Sequence, residues 1–498
     1  MSMNGNLLFV GGDLSGIQKF IYNITSKKAM VSLKGRSQYL KDFTEKVCNE
    51  ILDIAEVKNS SFGRDEMKVY CSGGKFYLQV PDTEGVRNAI VDIRRKTEKA
   101  LWDEHQGQLS MNIDFVPFCY VGESVRVKDE TGNIGILWKY ITKKFIALKN
   151  QRFKSLLLNQ YQDFFEVKEI GRVTDVCAVT GIEGAKEIDL DGEKLYVLPS
   201  VEKQILKGKE LRDKQHFKML EEYAGNSYLG ILRMDVDGLG TRFIKGFDSM
   251  KQYKEFSSAL DKFFDADNGN LHAIQLRFKE HLHIVYAGGD DVFVVGRWDK
   301  VIDFAKEVRE QFEKYCREKL NDNSLSISGG IAIVNPKFPI AKAAEMAGEA
   351  EEAAKKYNGG KKNAFNMFGE TLSWKDEFDY VQSYKNQFVD LINRHGLSRS
   401  ILHEIKAYAM MVKRNQYIEE ENRKGNMKQR PNLSYMWHTT YYLTRFMGKE
   451  KSNAFIFNFC KDLRDKQLLT PEKFRLMSMA ARWAELELRE IQQIISNN

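Results

Sequence analysis

The chain has 498 residues, 43% hydrophobic and 29% charged, a composition that excludes a disordered or fibrous protein and gives material for several cores. Its formal charge of +7, from 76 basic and 69 acidic residues, is too mild to mark a nucleic-acid binder by charge alone. Six scattered cysteines suit a reducing, cytoplasmic setting, and no apolar run approaches the ~20 residues of a membrane helix, so no membrane partner is expected.

In chain order, Leu7 to Val10 reads as a short strand running into Gly12-Asp13-Leu14-Ser15-Gly16, with Ser15 suited to cap a helix whose apolar face begins at Ile17. A second helix is expected from Ser37 to Ala55. Lys68 to Val80 then reads as strand, Gly73-Gly74, strand: the glycines permit the positive φ of a tight hairpin turn. Leu137 to Leu158 has the pattern of one amphipathic helix, and its Lys139, Lys143, Lys144, Lys149, Arg152 and Lys154 read as a solvated face rather than an RNA surface. Cys177 and Gly181 hold half of a zinc knuckle. A closed site needs four ligands and no second Cys pair follows, so Cys177 reads as an ordinary thiol and no structural zinc is expected. Lys186 to Lys218 is charged and turn-rich, and this middle segment ends near Tyr223.

The strand from Leu229 ends in Asp235-Val236-Asp237-Gly238-Leu239-Gly240, and a second hairpin from Leu282 to Val295 carries Gly288-Gly289-Asp290-Asp291. Carboxylates at the mouth of an apolar strand must be solvated, paired or on a metal. If the two segments pair, Asp235 meets Asp290 and Asp291 at one sheet end. Three such groups repel unless cations lie between them, and hard oxygen ligands suit Mg²⁺ or Mn²⁺. Two ions ~3.5–4 Å apart would clamp the attacking and leaving oxygens of an in-line phosphoryl displacement, the arrangement of a polymerase or cyclase palm. Asp13 to Gly16 with Gly73-Gly74 repeats this design, with Lys75 and Phe76 where the acids stood, so the chain carries two copies of one βααββαβ-like unit, the first stripped of most metal ligands.

Val301 to Leu320 follows as a helix, and Leu325 to Val334 as a strand whose internal Gly329-Gly330 admits a close backbone or ligand. Pro339 opens an alanine-rich helix to Tyr357, stopped by Gly359-Gly360. Near that end Lys355, Lys356, Lys361 and Lys362 fit triphosphate binding and surface i,i+4 pairs with Glu351 and Glu352 equally well. From Asp376 the spacing is helical except for a polar loop from Glu419 to Pro431. Trp437, Tyr441, Tyr442, Leu443, Phe446, Phe455, Phe457 and Trp483 are expected in a bundle core.

Gly12 to Ile21, Lys34-Gly35-Arg36-Ser37, Asp235 to Gly240, Gly288 to Asp291, and Ser328-Gly329-Gly330 followed by Pro339 occur in this order. The set resembles the large polymerase/cyclase subunit of type III CRISPR effector complexes of Csm or Cmr type. The resemblance implies an α+β fold with two ferredoxin-like palm domains: a degenerate first palm (1–120), a mixed middle domain (121–225), a catalytic second palm (226–373) and a C-terminal helical bundle (374–498). The middle domain binds zinc in many relatives; here Thr180 stands where a second Cys would. Many relatives begin with an HD nuclease domain, but no His-Asp dipeptide occurs here, so no nuclease domain and no DNA cleavage are expected. The implied partners are guide RNA, target RNA and the backbone and small subunits. The implied activity is RNA-triggered conversion of ATP into cyclic oligoadenylates, or the joining of AMP to S-adenosylmethionine.

On this reading Asp235, Asp290 and Asp291 are catalytic and hold two Mg²⁺ or Mn²⁺ ions. Nucleotide contacts are assigned to Gly238, Gly240, Gly288, Gly289, Ser328, Lys355 and Lys361, and on the first palm to Asp13, Ser15, Gly16, Gly73 and Gly74. Two rivals stand beside it. A non-catalytic guide-RNA-binding scaffold has no use for three clustered carboxylates, and a free-standing cyclic dinucleotide synthase needs neither a degenerate palm nor a helical C-terminal domain.

Overall fold

The computed structural model describes residues 6–24, 28–159, 161, 176–190, 192–449 and 453–497. Contacts divide the chain into two units, Met1–Ile327 with Ile333–Gly348, and Ser328–Ala332 with Glu349–Asn498. Among the described residues no helix is long and apolar enough to cross a membrane.

The first unit opens with β1 (Leu7–Ser15), α1 (Ile17–Tyr22), α2 (Ala29–Leu52), β2 (Lys68–Ser72), β3 (Lys75–Pro81), α3 (Glu84–His105), β4 (Ser110–Val121), β5 (Ser124–Val127) and β6 (Glu130–Gly132). The strands form one sheet in the order β2-β3-β1-β4-β5-β6. β1 is buried along its whole length, as its apolar and glycine-rich sequence requires of a strand flanked on both edges. Next come α4 (Gly135–Lys149) and α5 (Lys154–Asn159), where one continuous helix was expected. The break falls at Phe153, which adopts a left-handed φ of 56° and sets its ring edge-on against Trp102 at 5.1 Å.

The segment read as turn-rich folds as a hairpin, β7 (Lys186–Leu190) and β8 (Glu193–Val197), followed by α6 (Pro199–Gln215). Its charges are cross-strand partners: Glu187 accepts from Lys194 and from Tyr196, each at 2.8 Å. Pro199 begins α6, where a missing N–H costs nothing. α6 lies against α2, and α2 starts at Ala29, eight residues before the expected Ser37, with Ala29 to Arg36 all buried. Gly35 lay outside the expected helix. It is the crossing point instead: a Cβ there would collide with the Gln204 carbonyl, and one on Gly208 of α6 with the Val31 carbonyl.

The second repeat follows as β9 (Leu229–Asp237), α7 (Leu239–Lys245), α8 (Met250–Phe264), α9 (Asn270–Arg277), β10 (Leu282–Gly288), β11 (Asp291–Arg297) and α10 (Trp298–Tyr315). Its strand order β10-β11-β9 copies β2-β3-β1, and β12 (Ser326–Val334), whose residues are shared between the two units, comes next to β9. This is the expected α+β architecture, a ferredoxin-like palm present twice. α11 (Ile340–Gly360) also runs from one unit into the other and breaks at Tyr357–Gly359, with Asn358 and Gly359 both left-handed.

In the second unit the middle of β12 pairs in parallel with β13 (Ala364–Met367), and β14 (Glu370–Ser373) follows as a hairpin. The helices α12 (Glu377–His395), α13 (Ser400–Lys424), α14 (Ser434–Lys449), α15 (Ala454–Asp462) and α16 (Pro471–Asn497) complete it. α13 runs five residues past the expected loop start at Glu419. Beyond its end, Asn422 holds the returning chain by exchanging hydrogen bonds with Gln429 at 2.6 and 3.1 Å. Leu443 and Trp483 are core as expected, but Trp437, Tyr441 and Phe455 are 59–65% exposed, because helical spacing alone does not say which flank of an aromatic-rich helix faces inward.

The α2–α6 crossing is testable. Gly208→Ala forces a methyl against backbone that has no rotamer to escape into, and is expected to cost about 1–3 kcal/mol, read as a lowered melting temperature. An unchanged melt would show that the two helices do not cross this closely.

Candidate active site

β11 pairs antiparallel with β9 so that Asp291 stands directly opposite Asp235, and their carboxylate oxygens lie within 4.8 Å. The sequence suggested that three acids meet. The structure brings together these two, while Asp290 occupies the turn and accepts the Val236 N–H on its carbonyl at 3.2 Å.

The turn itself differs by one residue from the expected Gly288-Gly289. Gly288 is the last residue of β10 and pairs with Asp291, leaving Gly289 (φ 68°) and Asp290 as the connection. In the first palm Ser72 pairs with Lys75 around Gly73 and Gly74, both at positive φ. The ladders therefore align Lys75 with Asp291 and Gly74 with Asp290, which corrects the alignment of Lys75 and Phe76 with the two acids. Three further observations agree. Asp13 pairs with Lys75 as Asp235 pairs with Asp291. Leu14 N–H donates to the Gly74 carbonyl at 2.8 Å, as Val236 does to Asp290. Both hairpins slip register at the same place, before Tyr70 and before Tyr286.

Where the second palm sets acid against acid, the first sets Asp13 against Lys75, and Lys149 of α4 reaches Asp13 at 2.6 Å. Lys144 and Lys139 likewise bind Asp114 and Glu130 at 3.0 and 2.7 Å, so much of the lysine-rich face serves ion pairs within its own palm. Ser15 does not cap α1. Its hydroxyl accepts from Asn112 at 3.0 Å, and Gly16 (φ 93°) makes the turn into the helix as Gly238 (φ 76°) does before α7. Gly238 and Gly240 are exposed, with open space where a side chain would start. Asp237 is buried and accepts from Ser326 at 2.7 Å, a structural acid beside the exposed motif glycines.

The two turns meet. A Cβ on Gly73 would stand 2.9 Å from the Gly288 carbonyl, and one on Gly288 2.9 Å from Gly73 Cα. Lys75 thus lies in the field of both palms. Burial opposes its charge, but Asp290, Asp13, Asp291 and Asp235 together outweigh that and raise its pKa. Burial, reinforced by nearby acids, raises Tyr70 and Tyr286 well above the ordinary phenol range, keeping both as hydrogen-bond donors.

Beside the turns lies a cavity of about 360 Å³, walled by α2 (Lys34, Ser37, Gln38), by the end of α8 (Asp261, Asp265) and by Tyr286. Lys34 Nζ donates to the Ile284 carbonyl at 3.2 Å, where β10 slips register. Burial pushes Lys34 down to about 8, with Asp267 opposing. Burial raises Asp261 to about 7, while a hydrogen bond from Ser72 and the charge of Lys68 hold it down. Sequence reasoning missed Asp261; the available signal was weak, an acid next to Lys262 between the apolar Leu260 and Phe263-Phe264.

The remaining assigned residues belong to the second unit. Ser328 is fully buried and accepts the Ala364 N–H at 3.4 Å. Lys355 binds the buried Glu351 and Lys356 binds Glu352, each at 2.7 Å, so the i,i+4 alternative is the one realised for these two lysines. Lys361 is exposed just beyond the break in α11.

Residues 228–366 match the family described as Cas10/Cmr2, second palm domain, and residues 6–169 match Csm1 subunit domain B. The CRISPR system single-strand-specific deoxyribonuclease Cas10/Csm1 (subtype III-A) of Enterococcus italicus is 26% identical over 430 residues, covering 73% of this chain and 54% of its own length. Its counterpart in Streptococcus thermophilus is 23% identical, covering 91% and 68%. The chain thus spans about half to two-thirds of the length of these relatives. Among solved structures, the Csm1–Csm4 cassette in complex with cA4 has a TM-score of 0.63 at 20% identity, covering 97% of this chain and 70% of that one. The cassette with AMPPNP has a TM-score of 0.62 at 21% identity, covering 96% and 70%.

Asp261 yields a pH prediction. Its folded pKa of about 7 lies above the unfolded value near 3.8, so its contribution is fully present below about pH 4 and is lost as the pH rises through about 7. Asp261→Asn, which fixes the neutral form, is expected to leave the melting temperature unchanged near pH 4 and raise it by a few degrees at pH 8. The same shift at both values would refute a buried, titrating carboxyl.

Proposed function

The chain belongs to the Cas10/Csm1 family of type III CRISPR large subunits, and from that membership we propose that it is the nucleotidyltransferase subunit of a type III-A antiviral complex. In this reading it converts ATP into cyclic oligoadenylates when target RNA pairs with the guide. The observation that carries the reading is the opposition of Asp235 and Asp291 on neighbouring strands, beside a turn that only glycine can form against its counterpart.

Two facing carboxylates are hard oxygen donors and fit Mg²⁺ or Mn²⁺; Asp235 and Asp291 would hold the metal, with Asp290 at the turn as the third candidate. A bound divalent ion supplies Lewis acidity to the phosphoryl group and makes the acceptor hydroxyl a better nucleophile. The chain's own part is positional. The paired turns let backbone approach a ligand closely, and the cavity of about 360 Å³ lies within the ~300–1,000 Å³ of small-molecule sites. Lys75 places a positive charge between the palms. The first palm, with Asp13 already neutralised by Lys149, seats the acceptor, and the second palm acts on the donor. Lys355, committed to Glu351, is a weaker candidate for the triphosphate.

Solved Csm1–Csm4 cassettes in complex with ATP, pppApA and cA3 support ATP as the substrate and an adenylate ring as the product. A Csm4-like backbone subunit, the small subunit and the two RNAs are the proposed partners. S-adenosylmethionine as acceptor is the alternative outcome of the same chemistry.

The test is mass spectrometry of products from the assembled complex given ATP, Mg²⁺ and target RNA, with and without S-adenosylmethionine. Loss of an outer-shell partner already costs ~10–100-fold at metal sites, so Asp235→Asn and Asp291→Asn are each expected to lower product more than roughly a hundredfold. Asp290→Asn should cost less, and Lys75→Met should lower activity only in part. Melting should hold or rise in the acid variants, because each relieves like-charge repulsion. Wild-type product from Asp291→Asn would place the catalytic centre elsewhere.

A further inference from the structure

A second cavity, of about 260 Å³, opens on the first palm where α3, the start of β4 and the turn from α4 to α5 meet. Four cations line it, Arg94, Arg95, Arg152 and Lys154, against one carboxylate, Glu98. Glu98 is engaged by the Ser155 hydroxyl. Arg94 is anchored on the Ile113 carbonyl at 3.5 Å, Arg95 lies 3.7 Å from Asp92 with both side chains largely exposed, and Lys154 donates to the neutral Gln151 at 3.2 Å.

The strand wall is polar. Ser110 and Asn112 pair across the ladder with Ser15 and Asp13, so the cavity borders the sheet edge that corresponds to the acid edge of the second palm. Ser110 is 6% exposed, and its hydroxyl finds no hydrogen-bond partner among the described residues. A buried polar group in this state calls for a ligand or water. None of the cavity's lining residues belongs to the Gly-Gly turns or to the larger cavity beside them.

We propose that this cavity is an oligophosphate site, in which Arg94, Arg95, Arg152 and Lys154 hold a linear chain of phosphates without a metal ion. Guanidinium groups match phosphate oxygens in paired hydrogen bonds, and a cation excess in a concave, partly enclosed site is what a polyanion requires. Size selects the part of the ligand. At about 260 Å³ the cavity is below the ~300–1,000 Å³ of whole-ligand pockets, so it accommodates a phosphate chain and leaves a nucleoside outside. The absence of an acid pair selects the chemistry: Asp13 is bound by Lys149, which leaves the charge of the phosphates to the arginines.

This deepens the nucleotidyl-transfer reading and rests on it for the source of the phosphates. An acceptor that attacks through its hydroxyl keeps its own 5′-triphosphate, and that chain must be neutralised on the palm lacking the acid pair. Free inorganic polyphosphate is the other source of the same chemistry.

The experiment is calorimetric titration of the full chain in EDTA with inorganic tripolyphosphate, ATP and adenosine. Tripolyphosphate is expected to bind saturably at one site and adenosine not at all. Arg95→Ala with Arg152→Ala, both exposed positions that leave the core intact, is expected to weaken tripolyphosphate at least roughly tenfold, whereas Asp291→Asn should not change it. ATP binding more tightly than tripolyphosphate, and weakened by the same pair, assigns the site to a nucleotide; tripolyphosphate binding with ATP excluded assigns it to inorganic polyphosphate. No saturable tripolyphosphate binding, or equal affinity in the double variant, overturns the proposal. Product formation by the Asp235 and Asp291 variants is a separate readout, so a failed catalytic reading and a failed phosphate site are told apart.

Discussion

Everything near the acids depends on one backbone contact, the approach of Gly73 to Gly288 with no room for a methyl group on either. That contact locks two hairpins turn against turn, and the packing around it is reciprocal. α2 of the first palm lies on β10 of the second, and α8 of the second lies on β2 of the first. Aromatic pairs fasten the exchange: Tyr22 meets Phe293 at 4.4 Å and Trp138 stacks on Tyr253 at 4.1 Å. Such pairs contribute about 0.5–1.5 kcal/mol each beyond their buried area. The palms therefore act as one object, and a side chain of one, Lys75, is tuned by acids of the other.

Within that near-symmetric frame, charge distinguishes the matched ladder positions of the two halves. Opposed unit charges about 4 Å apart interact by about 4 kcal/mol at the effective dielectric of a protein surface. In the first palm the sign is attractive, because Asp13 faces Lys75 and also receives Lys149. In the second it is repulsive, because Asp235 faces Asp291. The first arrangement is an ion pair, whereas the second brings two hard oxygen donors together. Lysine in one copy and aspartate in the other at a matched ladder position reverse the sign of the facing pair.

The parts legible in the sequence were those encoded by neighbours in the chain. The short helix beginning at Ile17 was read from its apolar face, although Gly16 with its positive φ, not Ser15, makes the turn into it. The pairing of β9 with β11 followed from two apolar strands ending in acids. What escaped depended on partners far apart in sequence. Lys149 looked like one more solvated lysine because its partner Asp13 lies in the opening strand. The start of α2 was placed at Ser37 rather than Ala29, and the reason for Gly35 inside the helix, the α6 backbone, is supplied by the middle segment. The turn was misplaced by one residue because both Gly288 and Gly289 satisfy a hairpin on local grounds. Gly288 is instead required in the strand, where a side chain would meet the Tyr286 hydroxyl. α6 was missed because its charged, weakly apolar pattern carries little period for a helix that buries only a narrow stripe.

The cavity beside the turns adds a direction to this asymmetry. Its α2 wall carries Lys34, Lys41 and Glu45, while the end of α8 and the residues just after it carry Asp261, Lys262, Asp265 and Asp267, so both walls mix charges and the acids are in excess on the α8 side of the cavity of about 360 Å³. Lys41 and Asp267 close the outer rim at 3.5 Å, in a geometry that solvent screens to a small energy. The inner pair is different. Lys34 and Asp261 are moved toward neutrality by burial, to about 8 and about 7, and each holds a hairpin of the opposite palm, Lys34 through Ile284 and Asp261 through Ser72. Lys34 and Asp261 thus line the cavity and at the same time join the two palms, so a change at either is felt in the packing of the palms.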